Sequence, residues 1–197
     1  MLPGQTAANL GLAILLVTLC WLSSDAGIEH RAEQTAYFLG TAVLAINSLR
    51  RPPAAECDKR WWVCLICSFS LVYFVAFETN QSVHALGSAF WGIAILHGFG
   101  DLCLISLGTS FAILPASRGI RTRFLYRIVR HPVYTLYMVA DIIFVSVTPS
   151  FRNLAIAFLG GTAFVIRAEL EERLLRKRTD YREYARRIPY RFLPGVY

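Results

Sequence analysis

Long apolar runs constrain the fold of this chain more than any other feature of its sequence. Six of them are found, at residues 7–22, 34–49, 61–77, 85–107, 133–147 and 152–166. Most approach the length of about 17 to 25 residues that an α-helix needs to cross a bilayer. Hydrophobic residues make up 55% of the chain and charged residues only 17%, which is too apolar for an ordinary soluble domain. We therefore expect an all-α, polytopic membrane protein with about five to six transmembrane helices.

The positions of the cations predict the orientation of these helices. Four of the 20 Lys and Arg residues follow the second run, five follow the fourth, and nine lie on the C-terminal side. Only Arg31 and Arg152 fall in the alternate loops. Since cationic loops stay in the cytoplasm, both termini are expected there. Topology and anionic lipid account for the net charge of +7, so no nucleic-acid partner is expected.

The cysteines do not predict a disulfide framework, because four of the five lie within the apolar runs. Cys64 and Cys67 have the spacing of a redox or metal-binding pair, which leaves open a small quinone-linked thiol oxidant. No second Cys or His pair accompanies them. We favour two small hydrophobic side chains on one helix face, and we expect no metal site.

Residues 107–130 mix apolar side chains with five arginines, a composition typical of a segment at the membrane interface. The segment ends at Arg130-His131-Pro132, directly before the fifth apolar run. Proline is favoured in the first helical turn, where its missing N–H costs no hydrogen bond. A helix is therefore expected to begin here. Its first-turn N–H groups and dipole, with the Arg130 and His131 side chains, suit an anion such as a carboxylate or phosphate.

One face of this helix is expected to carry Tyr134, Tyr137, Met138 and Asp141, which follow at helical spacing. Aromatic rings on that face can contact a bound cation. Asp141 lies within the span itself, where exposure of a carboxylate to lipid is costly. We expect it to face the protein interior.

The last apolar run is expected to continue as a helix from Arg152 to about Lys177, roughly 39 Å long at about 1.5 Å per residue. Arg167 and Glu171 are four residues apart on one face, and Glu172 follows. An ion-paired, solvated helix end is one interpretation. The other interpretation is that at least one of these carboxylates contacts a ligand, because the helix dipole disfavours carboxylates at a C-terminal end.

Together these residues resemble the isoprenylcysteine carboxyl methyltransferase family. Its members are integral membrane enzymes that use S-adenosylmethionine, and the group includes phospholipid N-methyltransferases. The matching elements are Tyr126-x-x-x-Arg130-His131-Pro132-x-Tyr134, Arg167-x-x-x-Glu171-Glu172 and the tail residues Tyr181, Tyr184, Arg187, Arg191 and Pro194. The sequence departs from the family pattern at Phe124-Leu125, where a Gly-Pro or similar pair normally precedes the tyrosine, and at Leu136, often Gly in relatives.

The resemblance implies a site for the methyl donor, S-adenosylmethionine, with Arg167 facing the substrate. The implied donor contacts are Arg118, Gly119, Ile120, Arg121, Tyr126, His131, Pro132, Val133, Tyr134 and Glu171. Methyl transfer depends largely on positioning, and a carboxylate or thiolate acceptor needs no strong base. An amine must lose a proton, for which Glu172 or His131 is the expected acceptor. Arg167 and Glu172 are thus the expected catalytic residues.

By the same resemblance the chain is one integral membrane methyltransferase domain. Residues 1–106 would supply N-terminal spans, and residues 107–197 a catalytic core whose C-terminal helical region binds the cofactor at the cytoplasmic surface. The expected partners are the membrane and a lipophilic acceptor, such as an isoprenylcysteine-type carboxylate or a related lipid. The host membrane would be the plasma (inner) membrane in a prokaryote or the endoplasmic reticulum in a eukaryote.

Two further interpretations remain beside the thiol oxidant. Membrane sterol reductases have a similar C-terminal region and use NADPH, although this chain of 197 residues lacks their additional spans. A small transporter could instead use His97 and Asp101, spaced i, i+4 on the fourth run, for ion passage. For these two residues we favour a hydrogen-bonded packing role between helices.

Overall fold

The described part of the chain is helical throughout. The computed structural model describes residues 46, 49, 57, 58, 60–77, 87–110 and 120–195. Within these ranges there is no β-strand, and five α-helices occur: α1 (Trp61–Val72), α2 (Ser88–Leu107), α3 (Pro132–Val147), α4 (Phe151–Leu175) and α5 (Thr179–Arg187). Short 3-10 helices occupy Tyr73–Ala76, Gly108–Ser110 and Phe124–Arg127. The all-α prediction is confirmed for the described residues, whereas the runs at 7–22 and 34–49 lie outside them except for Ile46 and Leu49.

Two described helices are long and apolar enough to cross a bilayer, α2 with 20 residues and α4 with 25. The apolar helices α1 and α3 are shorter. Large apolar side chains such as Trp91 on α2 and Phe158 on α4 are exposed, as a lipid-facing surface requires. Two candidate membrane-spanning helices are therefore present among the described residues, while the total of five to six spans stays a prediction.

A tight turn joins α3 to α4 and sets their register. Thr148 follows α3, and the Ser150 hydroxyl caps α4 by accepting the Asn153 N–H at 3.0 Å. Asn153 is buried, and its side-chain amide donates to the Thr148 carbonyl at 2.9 Å. The predicted helix start at Pro132 is confirmed, and α3 and α4 pack together as a helical hairpin.

Tyr73 joins the end of α1 to this hairpin. Its hydroxyl donates to a carboxylate oxygen of Asp141 on α3 at 2.5 Å, and its ring meets Phe164 on α4 edge-on at 5.7 Å. Both Tyr73 and Asp141 are buried, so Asp141 faces the protein interior as expected. The ring lies directly over Gly160, where any side chain would overlap it.

We predict that Gly160→Ala destabilises the protein by about 1 to 3 kcal/mol, because the new methyl group must displace the Tyr73 ring. Gly161→Ala is the matched control, since the added methyl would have Met138 atoms at an ordinary 3.9 Å. The control should be neutral or stabilising by up to about 1 kcal/mol, from helix propensity. Unfolding in detergent measures both, and equal stabilities for the two variants would contradict the packing described.

Candidate active site

A buried carboxylate, Glu172, holds the centre of the candidate site. Only 1% of its side chain is exposed. Arg130 Nε donates to one carboxylate oxygen at 2.8 Å, and His131 Nε2 lies 3.3 Å from the same oxygen. The other oxygen is 3.0 Å from Arg176 Nη2 and 3.2 Å from Arg191 Nη2. Burial of this charge is tolerated because both oxygens have cationic or hydrogen-bonding partners.

The segment after α5 lies across the start of α3. The Arg130 and His131 N–H groups donate to the carbonyls of Tyr190 and Arg191, at 3.0 and 2.9 Å. The Arg130 guanidinium donates to two further carbonyls of this segment, at 2.9 and 2.7 Å. Arg130 was expected to face an anionic ligand, and in the structure it bonds this segment and Glu172. His131, at the N-cap, gives α3 no side-chain cap, so the first-turn N–H groups retain anion-binding capacity.

A second cluster joins Arg167 and Glu171 of α4 to Tyr134 of α3. Arg167 Nε and the Tyr134 hydroxyl both donate to one Glu171 oxygen, at 3.0 and 2.7 Å. The Arg167 guanidinium also lies 5.6 Å from the centre of the Tyr134 ring. The ring is stacked between His131 and Phe164, at centroid distances of 5.4 and 5.0 Å. These contacts form a continuous aromatic and cationic surface where the two helices meet.

The solvated interpretation of Arg-x-x-x-Glu-Glu does not describe this helix end. Arg167 is 2% exposed, and Glu171, at 20%, is also largely covered. Two residues further along α4, Glu169 and Arg173 form an exposed i, i+4 pair at 2.9 Å. The two pairs differ in burial because Arg167 and Glu171 face α3, whereas Arg173 is open to solvent.

Tyr126 is a buried phenol on the 3-10 helix before α3. Its backbone carbonyl accepts a hydrogen bond from the Tyr184 hydroxyl of α5 at 2.8 Å. Burial, with a smaller contribution from neighbouring groups that include Glu171, raises the pKa of the Tyr126 phenol well above its usual value. The phenol therefore stays neutral and able to donate. Among the described residues, its own hydroxyl has no hydrogen-bond partner.

The turn before Tyr126 explains one departure from the family pattern. Phe124 has a φ of 55°, the left-handed region that glycine enters without steric cost. A phenylalanine there costs roughly 1 to 2 kcal/mol. Its ring stacks on Phe99 of α2 at 6.0 Å, a contact that glycine could not make.

A cavity of about 510 Å3 lies between residues 120–127 and α5. Its lining includes Ile120, Tyr126, Arg127, Tyr184 and Arg187. The volume is within the range of about 300 to 1,000 Å3 that small-molecule sites occupy. Two of the predicted donor contacts, Ile120 and Tyr126, thus border one cavity.

The other predicted residues fall into three groups. His131, Tyr134, Arg167, Glu171 and Glu172 form the connected clusters described above. Pro132 and Val133 are buried, and Val133 packs with Cys103, Leu104 and Tyr126. Arg121 is exposed, and Arg118 and Gly119 lie outside the described residues.

The alternative sites have less structural support. No disulfide joins Cys64 to Cys67, and Cys67 packs with Val63 and Leu170. The His97 ring meets the Tyr137 ring edge-on at 5.4 Å. Among the described residues, no ion pair joins His97 to Asp101.

Sequence reasoning missed two contributors to this region, Phe164 and Ser70. Phe164 stacks on Tyr134 but has no distinguishing signal within an apolar run. Ser70 donates to the Cys67 carbonyl and accepts from Arg167. A serine within an apolar run is a weak signal by itself, and only the fold identifies its partner.

Comparison with known proteins supports the resemblance. The family model for the isoprenylcysteine carboxyl methyltransferase (ICMT) family matches residues 92–177. Over these residues, which are fewer than half of the chain, the sequence is similar to that family. No curated protein and no solved structure matches the chain. The match includes α3, α4 and most of α2, and with them both sequence elements of the site. The match favours a methyltransferase that acts on membrane substrates, and it does not favour the reductase, thiol-oxidant or transporter interpretations.

We predict that Glu172→Gln lowers the free energy of unfolding by about 3 to 5 kcal/mol, because Arg130 and His131 would remain buried without their anion. Glu169→Gln is the matched control on the same helix. Its carboxylate is 37% exposed, so the loss should stay below about 1 kcal/mol. Denaturation of the purified variants in detergent compares the two, and losses of equal size would show that Glu172 does not hold the site together.

Proposed function

We propose that the chain transfers a methyl group from S-adenosylmethionine to a lipophilic carboxylate at the cytoplasmic membrane surface. The observation that carries the proposal is the cluster in which the His131–Tyr134–Phe164 stack meets Arg167 and Glu171. It combines aromatic surface, a carboxylate and a buried cation at the junction of two apolar helices, of which α4 is long enough to cross a bilayer.

The described residues fit the separate parts of S-adenosylmethionine. Its sulfonium is complementary to the electron-rich faces of Tyr134 and its neighbours. Its carboxylate suits the uncapped first turn of α3, and its ammonium or ribose suits Glu171. The buried Tyr126 hydroxyl, which lacks a described partner, supplies one more donor. Pro132 and Val133 would border the donor through the backbone of that first turn.

The cavity beside Tyr126 supports entry of the donor from the cytoplasmic side. It lies against α5, the polar helix that follows α4. Ile120 lines it, and Arg118, Gly119 and Arg121 precede or follow Ile120 in the sequence. These residues are the proposed route by which a charged molecule reaches the stack without crossing the bilayer.

Arg167 favours an anionic acceptor. A guanidinium binds a carboxylate through paired hydrogen bonds, whereas it repels an ammonium group. The apolar part of an isoprenylcysteine-type acceptor would approach laterally from lipid, between membrane-type helices. When bound, the donor supplies an electrophilic methyl group. The residues of the chain orient the acceptor carboxylate and exclude water.

This proposal changes the expected role of Glu172. A carboxylate acceptor needs no general base, and the oxygens of Glu172 already contact Arg130, His131, Arg176 and Arg191. We propose that Glu172 is a positioning residue, which fixes His131 beside Tyr134. Arg167 keeps the catalytic role.

We predict that the purified protein binds S-adenosylhomocysteine, the product of the donor. Tyr126→Phe should raise the Kd about 2- to 10-fold through loss of one hydrogen bond. His131→Ala and Glu171→Gln should each raise it about 5- to 150-fold, since charged or ring contacts are removed as well. Isothermal titration calorimetry in detergent measures all three variants.

Tyr190→Phe is the control for this series, because the Tyr190 side chain is exposed and only its backbone carbonyl contacts the site. Its Kd should match that of the wild type. A folded wild-type protein that does not bind S-adenosylhomocysteine would contradict the proposed function.

We predict that membranes containing the protein transfer label from methyl-labelled S-adenosylmethionine to a base-labile ester, as a methylated carboxylate requires. Mass spectrometry of the extracted lipids identifies the acceptor. Arg167→Ala should abolish most of this transfer and leave the Kd for S-adenosylhomocysteine within about 3-fold of the wild type. Label in a base-stable methylamine would contradict a carboxylate acceptor and favour an amine.

A further inference from the structure

We infer that Ser70 on α1 is a positioning residue for Arg167, so that a helix outside the matched residues 92–177 completes the active site. The inference rests on the proposed function, because it gives Arg167 the acceptor-facing role. It gives the Arg167 guanidinium a second hydrogen-bond partner besides Glu171, and this partner comes from the N-terminal part of the chain.

The hydrogen bonds of Ser70 fix the direction of its hydroxyl. Ser70 is buried, and its Oγ donates to the Cys67 carbonyl one turn earlier at 2.8 Å. A serine hydroxyl has one proton, and that bond uses it. The lone pairs are left to accept, and Arg167 Nη1 donates to them at 3.0 Å.

Ser70 and Glu171 bind different nitrogens of the same guanidinium. Glu171 accepts from Nε at 3.0 Å, and Ser70 accepts from Nη1 at 3.0 Å. Because the guanidinium is planar, contacts at two of its nitrogens restrict rotation that a single contact would allow. Removal of the Ser70 hydroxyl takes away one of these two hydrogen bonds. Misplacement of a reacting group by about 1 Å can cost roughly 100-fold in rate.

Contacts on both sides of Ser70 hold α1 independently of this hydrogen bond. One turn before it, Cys67 packs with Val63 and with Leu170 of α4. Shortly after it, Tyr73 bonds to Asp141 and covers Gly160. Removal of the Ser70 hydroxyl should therefore leave α1 in place and affect mainly the orientation of Arg167.

The experiment compares Ser70→Ala with Ser106→Ala. Ser106 on α2 makes the same local bond, to the Cys103 carbonyl at 2.7 Å, and no arginine contact of its side chain is found among the described residues. Turnover is measured with S-adenosylmethionine and N-acetyl-S-farnesylcysteine, a lipophilic carboxylate. Ser70→Ala should lower kcat about 10-fold, as expected for one hydrogen bond to a charged group. The Kd for S-adenosylhomocysteine should stay within about 2-fold, and Ser106→Ala should match the wild type.

Ser70→Thr tests whether the hydroxyl is the group that matters. It retains the oxygen, so kcat should recover to within about 3-fold of the wild type. A merely structural serine would show the same loss of thermal stability in Ser70→Ala and Ser106→Ala and no selective loss of kcat. Equal kcat values for these two variants would overturn the inference and leave the proposed function intact.

A double-mutant cycle tests the Ser70–Arg167 contact, on which the inference depends, without a turnover assay. The unfolding temperatures of Ser70→Ala, Arg167→Met and the double variant should depart from additivity by about 2 °C or more, because the two side chains share one interaction. Additive shifts would overturn the inference. Failure of the wild type to bind S-adenosylhomocysteine would instead contradict the proposed function, and the cycle would still report on the Ser70–Arg167 contact.

Discussion

The arrangement of this site depends on the buried charge of Glu172. An isolated carboxylate at 1% exposure would be too costly to keep ionised, so its oxygens must find cations or donors. Those partners come from three places in the chain: Arg130 and His131 before α3, Arg176 after α4, and Arg191 beyond α5. One electrostatic requirement therefore brings together three segments that are separate in sequence. The stacked rings and the Arg167–Glu171 pair lie beside that junction.

The same requirement explains why the segment after α5 returns to α3. The Arg130 guanidinium donates through Nε to Glu172 and through Nη1 to the carbonyls of Ile188 and Pro189. The Arg130 and His131 N–H groups, which precede the helix, bond the next two carbonyls. Backbone carbonyls of this segment therefore accept the hydrogen bonds that hold it against α3. The side-chain types of residues 188–192 do not predict these bonds. The polar groups of the site can thus be hydrogen-bonded although they lie beside apolar helices.

Local patterns were sufficient for part of this structure. Pro132 predicted the start of α3, and the spacing of Arg167 and Glu171 predicted that they share a face. Contacts between distant segments were not predictable in this way. Ser70 and Tyr73 lie in an apolar run without a motif, and their partners, Arg167 and Asp141, are far along the chain. The left-handed Phe124 could not be foreseen either, since a phenylalanine gives no signal for positive φ.

The lengths of α3 and α4 explain why the Arg130-His131-Pro132 element and the Arg167-x-x-x-Glu171-Glu172 element lie close together in space. Both helices start from the short turn, and α3 has 16 residues while α4 has 25. Counted from the turn, the first residues of α3 come level with the second half of α4, where Tyr134 stacks on Phe164. His131 precedes Tyr134 and Arg167 follows Phe164, so both lie toward the same end of the hairpin. A residue inserted in α4 before Phe164 would rotate everything after it by about 100°, because each residue advances an α-helix by that angle. Arg167 and Glu171 would then leave α3, and Glu172 would lose Arg130 and His131. The spacing between the two elements is therefore as much a part of the site as the residues themselves.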